Sequence, residues 1–295
     1  MSFENVENFN FYPDDQHGSC TVGLSDEMIR AIKKSKCISL SIWKGSWHDL
    51  SFLSELDPPL KRLRIQSDNV DWKGVEKLSV LNRLSISGVV KEKMDFHCLT
   101  GLTSLEYHWD KKNSDSVFSH SCLEELKIYG VNDFDLSRFR GLESLESLEI
   151  IRGRIRSLSG IGELSELRAL RLNDLRSLED VSDLKKLQHL WCFHVGSCNK
   201  LDACDISGLN NLKELGLLRQ KNISDLSFLN LLPGLEVFMA LEMSILSGDV
   251  KILSTLPRLK SIRMDQKRHY NLNLNELKSR LRDEYGDFKV ELEGK

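Results

Sequence analysis

LEELKI, residues 123–128, decides how the rest of the chain reads, because its pattern keeps returning. It recurs as LKRLRI at 60–65, LNRLSI at 81–86, LTSLEY at 102–107, LESLEI at 145–150 and LRALRL at 167–172. LQHLWC at 187–192, LKELGL at 212–217, LEVFMA at 235–240 and LKSIRM at 259–264 continue the series, and ISLSI at 38–42 is a degenerate first copy. From Leu60 onward the anchors are spaced by 21, 21, 21, 22, 22, 20, 25, 23 and 24 residues. A fixed period of this length marks one supersecondary unit repeated along the chain. In each copy the fourth and sixth residues, such as Leu148 and Ile150 or Leu170 and Leu172, alternate onto one face of a short strand. One copy cannot bury them alone, and stacked copies bury them against one another.

A second leucine stands three residues before most anchors, at Leu78, Leu99, Leu142, Leu164, Leu184, Leu209, Leu232 and Leu256. The resulting L-x-x-L-x-x-L-x-L, over residues 37–264, resembles the leucine-rich repeat family. Its period is similar to the short class of bacterial internalins and of a regulatory subunit of protein phosphatase 1. The resemblance implies an α/β solenoid: a curved parallel sheet of about eleven strands with helical N- and C-terminal caps. The family's ninth-position asparagine is replaced by Asp68, Val89, Val131, Gly153, Leu175, Val195, Gln220, Met243 and Lys267, which predicts irregular turns after the strands.

The expected boundaries are a cap over 1–36, a solenoid over 37–270 and a second cap over 271–295, all one structural domain. Ser25 can N-cap a helix over 26–35 that presents Met28, Ile29 and Ile32. The segment before it, with His17 and Cys20, reads as irregular. Asn273 and Glu276 have capping-box spacing, for a helix presenting Leu274, Leu277, Leu281 and Tyr285 and ending at Gly286. FKVEL at 288–292 alternates like a closing strand.

The chain has 295 residues, 29% of them charged, with a net charge of -3, so no general bias toward nucleic acid or membrane follows. Residues 1–7 lack the basic and apolar regions of a secretory signal, and no apolar run approaches a transmembrane length. Seven cysteines without a C-x-x-C pair suggest reduced thiols. A cytoplasmic protein is the expectation.

The third, fifth and seventh residues of each copy should line the concave sheet face. Arg62, Arg64 and Arg83 form a basic group there, and Tyr129 adds an aromatic. His189, Trp191 and Phe193, with Leu218, Val237, Met239 and Leu241, predict an apolar patch large enough for an interaction site. Alternatively the loop at 196–207 folds over it. Glu106, His108 and Glu125 lack the enclosure that acid–base catalysis needs, and no nucleotide, hydrolase or zinc-protease motif occurs. Cys192, His194, Cys198 and Cys204 cluster locally, but alternation points Cys192 and His194 inward and the spacing fits no zinc pattern. No catalytic residue, metal or cofactor is therefore assigned.

These features predict a non-enzymatic module that binds a protein on its concave face, with no nucleic acid and no membrane as partner. A stoichiometric inhibitor, such as a bacterial toxin-neutralising immunity protein, is the first reading. A regulatory or adaptor subunit of a cytosolic enzyme such as a protein phosphatase is the second, and an enzyme with an unrecognised site the third.

Overall fold

The computed structural model describes residues 9–288, except 22, 24, 45, 46, 48, 49, 68, 69, 71, 89–92, 112, 202–205 and 207. Two compact units make up the chain: Met1–Tyr129 with Gly141–Leu145, and Gly130–Arg140 with Glu146–Lys295.

In the first unit β1 (Phe9–Tyr12) and β2 (His17–Cys20) form an antiparallel hairpin, and β2 continues parallel to β3 (Ser39–Trp43). Then follow β4 (Arg62–Gln66), β5 (Arg83–Ile86), β6 (Ser104–His108) and β7 (Glu125–Val131), each parallel to its predecessor. The second unit holds β8 (Ser147–Gly153), β9 (Ala169–Asn173), β10 (Cys192–Gly196), β11 (Glu214–Leu218), β12 (Val237–Leu241) and β13 (Ser261–Met264). These too are parallel and pair in chain order. Strands β3 to β13 are the eleven copies expected from the repeat. The hairpin adds two, in a stretch that alternation alone left irregular. It forms because Gly18 has no side chain: a Cβ there would stand 2.9 Å from the ring of Phe9, which packs into that space.

The alternating leucines explain the strands. Leu126 and Ile128, Leu148 and Ile150, and Leu170 and Leu172 are buried on one face of their strands. The chain returns between strands through 3-10 turns such as Ser137–Gly141, Ile161–Glu163, Ser182–Lys186 and Ser227–Leu231. Phe139, Ile161, Leu184, Phe228 and Leu229 on these turns fill the core from the opposite side. Among the described residues no helix is long and apolar enough to cross a membrane.

Among the described residues, seven of the turns after the strands share one geometry, contrary to the expectation drawn from the missing asparagines. The residue following the outer-face position has positive φ in seven copies, at Lys44, Gly130, Arg152, Asp174, Ser197, Arg219 and Glu242. Asp174, Ser197 and Arg219 donate their backbone N–H to the carbonyls of Gly196, Leu218 and Leu241 on the next strand, at 2.8, 2.9 and 2.9 Å. One extra ladder bond, donated by the left-handed residue itself, turns the chain. Backbone groups meet the need that a side-chain amide serves in the family.

One copy has a different register from the predicted one. Phe193 stands opposite Leu170 and Leu215, and Val195 opposite Leu172 and Leu217. The anchor of this copy is therefore Leu190 rather than Leu187, and the uneven spacings of 20 and 25 become 23 and 22. Leu184, Leu187 and Leu190 succeed one another at intervals of three, so the leucine pattern permits either frame. A slip of three is odd, and an odd slip exchanges the two faces of a strand. Phe193 accordingly lies in the core, 0% exposed, while Cys192 and His194 share a face with Ala169 and Arg171.

The two cap helices form at the expected residues. Ser25 accepts from the N–H of Met28 at the start of α1 (Asp26–Ser35), which buries Met28 and Ile32. The short α2 (Ser114–Phe118) precedes β7. Asn273 caps α3 (Leu274–Tyr285), donating to Glu276 at 2.7 Å and accepting from the N–H groups of Asn275 and Glu276. Leu274, Leu277 and Leu281 are buried, whereas Tyr285 is exposed. It follows Leu281 at helical spacing but lies in the final turn, before the stop at Gly286. Lys278 Nζ donates to the carbonyl of Met264 on β13 at 2.6 Å. Residues 289–292 of the expected closing strand lie outside the described residues.

Candidate functional site

In the first unit the outer sheet face carries three rows set by the parallel register. Ser39, Arg62, Arg83, Ser104 and Glu125 form one, and Ser41, Arg64, Ser85, Glu106 and Lys127 the next. Beyond them Trp43 stands beside Gln66, and His108 beside Tyr129. Arg62, Arg64, Arg83 and Tyr129 thus lie where the sequence placed them.

Their side chains interlock. The Arg64 guanidinium stands 5.4 Å from the Trp43 ring centroid, and Trp43 Nε1 donates to Ser19 Oγ at 3.0 Å. Glu106 accepts from Ser85 Oγ and from the Tyr129 hydroxyl, both at 2.7 Å, and Lys127 Nζ lies 3.8 Å away. Tyr129 stacks on His108 with centroids 4.6 Å apart. Arg83 pairs with Glu125 at 2.8 Å, an exposed contact of little energetic weight. Burial alone would raise the Glu106 pKa, but the two hydroxyls, Lys127 and Arg64 outweigh it and hold the carboxyl below its usual range. Such a carboxylate stays ionised at neutral pH, the opposite of a general acid. Trp43 was missed in the sequence because ISLSIW belongs to the degenerate first copy, and its seventh frame position went unread.

In the second unit the predicted apolar patch does not assemble. Phe193 belongs to the core, as the register requires. Trp191 is half-buried in the residue before β10, and His189 is exposed two residues earlier. Val237, Met239, Leu218 and Leu241 do share the outer face, with Gly216 beside Met239 and Leu218 beside Leu241. Yet Val237 and Met239 are buried, and Arg263 Nη1 reaches to 3.9 Å from the Met239 sulfur. Only Leu218 and Leu241 of the four remain half-exposed. The alternative cover, the loop at 196–207, lies partly outside the described residues, as does Cys204.

What the corrected register brings together is Cys192, His194 and Glu214. His194 Nε2 lies 2.8 Å from Glu214 Oε1 and 3.7 Å from Cys192 Sγ, and the three donor atoms fall within 4.8 Å of one another. Gly216 permits this: a Cβ there would stand 2.7 Å from His194 Cδ2, so the ring occupies the space above the glycine. Arg171 Nη2 is 3.8 Å from the Cys192 sulfur. The hydrogen bond from His194 holds the Glu214 carboxyl below its usual range against the effect of burial. Burial pushes the Cys192 thiol up to about 12.

The Glu214 shift has a signed consequence. A carboxyl whose folded pKa is depressed stabilises the fold above its unfolded pKa and loses that contribution as pH falls through the folded value. Glu214→Gln is expected to cost about 1–3 kcal/mol at neutral pH, where the ionised carboxylate is hydrogen-bonded. The gap between wild type and variant should shrink on acidification below about 4.5, the ordinary carboxyl value. Urea denaturation of both proteins at neutral and acid pH measures it, and a gap independent of pH would contradict the pairing.

No protein-family model and no curated protein matches the chain. Solved structures do. An internalin (inlF) from Listeria monocytogenes has a TM-score of 0.55 and 16% identity, covering 84% of this chain and 87% of that chain. Toll in the Toll–Spatzle complex, from Drosophila, has a TM-score of 0.57 and 13% identity over 88% of this chain and 45% of that chain. The TLR13–ssRNA13 complex gives 0.52 and 16%, over 85% and 46%. The chain thus spans less than half the length of the two receptor chains. At these identities the likeness concerns the fold, and with the in-register leucines and parallel strands it identifies the chain as a leucine-rich repeat solenoid.

Proposed function

We propose that the protein is a non-enzymatic binding module whose partner is another protein, held on the outer face of β3–β7. The observation that carries the reading is the Trp43–Arg64 pair on the same face as His108 and Tyr129. Tryptophan, tyrosine and arginine are the residue types in which interface binding energy concentrates. Arg62 and Arg64 are exposed and suit an acidic segment of the partner. Glu106 and Glu125 stand among these arginines and would repel a phosphate backbone, which favours a protein over a nucleic acid. The finer reading is a cytoplasmic stoichiometric inhibitor, in the manner of a toxin-neutralising immunity protein. A regulatory or adaptor subunit is the second.

Affinity capture followed by mass spectrometry tests this with wild type and the Trp43→Ala/Arg64→Glu double variant. The double variant should bind at least about thirtyfold more weakly while keeping its circular dichroism, since these side chains lie outside the leucine core. Unchanged binding by the double variant would overturn the assigned face. If the captured partner is an enzyme or toxin, one equivalent of the protein should abolish its activity under the inhibitor reading. Redirected activity would favour the adaptor reading.

A further inference from the structure

The geometry points to a zinc site built by Cys192, His194 and Glu214 on the outer face of β10 and β11. Sequence spacing offered no such site, because the third ligand stands on the neighbouring strand, 20 residues beyond His194. The parallel register supplies it: Cys192 is the direct partner of Glu214, and His194 of Gly216.

A simpler reading of the same residues is a cysteine–histidine–carboxylate relay. The contacts argue against it. In a relay the imidazole uses one nitrogen for the nucleophile and the other for the carboxylate. Here both Cys192 Sγ and Glu214 Oε1 approach the same atom, His194 Nε2. Both neighbours gathered at one imidazole nitrogen, rather than one at each, bring the three candidate ligand atoms to the same edge of the ring. Thiolate, imidazole and carboxylate are also the ligand types zinc takes, at about 2.3 Å to sulfur and about 2.0–2.2 Å to nitrogen and oxygen. Ligands around a tetrahedral ion at those lengths stand roughly 3.3–3.7 Å apart. The Cys192–His194 separation of 3.7 Å falls at that range, the 2.8 Å hydrogen bond between His194 and Glu214 has to open to admit the ion, and all three atoms already lie within 4.8 Å of one another.

The surroundings fit an ion held at the sheet surface. His194 and Glu214 side chains are 16% and 18% exposed, so the carboxylate and imidazole are largely out of water, while Cys192 is fully covered beneath them. The bare backbone of Gly216 fixes the imidazole plane, since any side chain there would displace it. Arg171 approaches the sulfur and would donate to the bound thiolate, the outer hydrogen bond that orients many metal ligands. On binding, the Cys192 thiol gives its proton to solvent and its sulfur lone pair to the ion. Thiolate and carboxylate then balance the two positive charges of zinc, and affinity should rise with pH. Three protein ligands leave a fourth position on the outer side, for water or a partner's side chain.

The test uses full-length, tag-free, reduced protein stripped with chelator and titrated with cobalt(II), then with zinc. One equivalent of cobalt(II) should produce a sulfur-to-metal charge-transfer band and the visible bands of a tetrahedral ion, and zinc should displace it stoichiometrically. Cys192→Ser should abolish the charge-transfer band and Glu214→Gln should weaken binding by about tenfold or more, both with wild-type circular dichroism. Gly216→Ala, which moves the ring, should also weaken it. If Cys192→Ser fails to fold, Glu214→Gln and Gly216→Ala carry the test. No charge-transfer band with the wild type, or a band that all three variants leave unchanged, would overturn the site.

Discussion

Leu170→Asp is expected to abolish folding. Leu170 is fully buried on β9, flanked in register by Leu148 on β8 and Phe193 on β10. A carboxylate there would stand between these two apolar side chains, and an ionised group without compensation costs more than a typical domain's entire stability. Protonation would reduce the penalty without removing it. Because each copy is stabilised by its neighbours, a defect in the middle of the stack deprives the copies on both sides of an interface. The expected product is insoluble or, if soluble, lacks the cooperative transition of the wild type in circular dichroism. A variant with native spectra and an unchanged midpoint would refute the packing of β8, β9 and β10.

Phe193→Ala should cost about 3–5 kcal/mol, the usual range for truncating a buried aromatic. The same substitution at Trp191, half-buried and outside the strand, should cost clearly less. The comparison distinguishes the two frames. With the anchor at Leu187, Phe193 would point away from the core and its removal would hardly register. With the anchor at Leu190 it is a main element of the core between Leu170 and Leu215. Denaturant midpoints of the two variants decide it, and equal stabilities would restore the other register.

That copy also shows what a sequence of this kind reveals and what it conceals. β8 and β9 were legible because Leu145, Leu148 and Ile150, then Leu167, Leu170 and Leu172, permit a single frame. β10 was misread because both of its frames place apolar residues at the fourth and sixth positions, Leu190 and Cys192 in one and Phe193 and Val195 in the other, and only pairing with its neighbours chooses between them. The hairpin of β1 and β2 was concealed for another reason. Each strand has four residues, and His-Gly-Ser-Cys carries no alternation; its glycine matters for the ring of Phe9 that it admits. Of the site residues, Arg62, Arg64, Arg83 and Tyr129 were legible in unambiguous copies. Cys192, His194 and Glu214 were not, because their proximity depends on cross-strand register rather than on spacing along the chain.

The contact between Lys278 and the end of β13 bears on how the protein avoids becoming its own partner. A repeat sheet is by construction a template that accepts one more identical strand, and its last strand offers a row of backbone groups to any other molecule. In this chain α3 brings an ammonium onto the carbonyl of Met264, at 2.6 Å, and Arg263 adds positive charge on the same strand. An incoming strand would have to displace that ammonium and bring its own backbone up to like charges on a second copy. The same twelve-residue helix that buries Leu274, Leu277 and Leu281 thus also occupies an acceptor at which a further copy of the repeat would add, an obstacle to fibre-like growth.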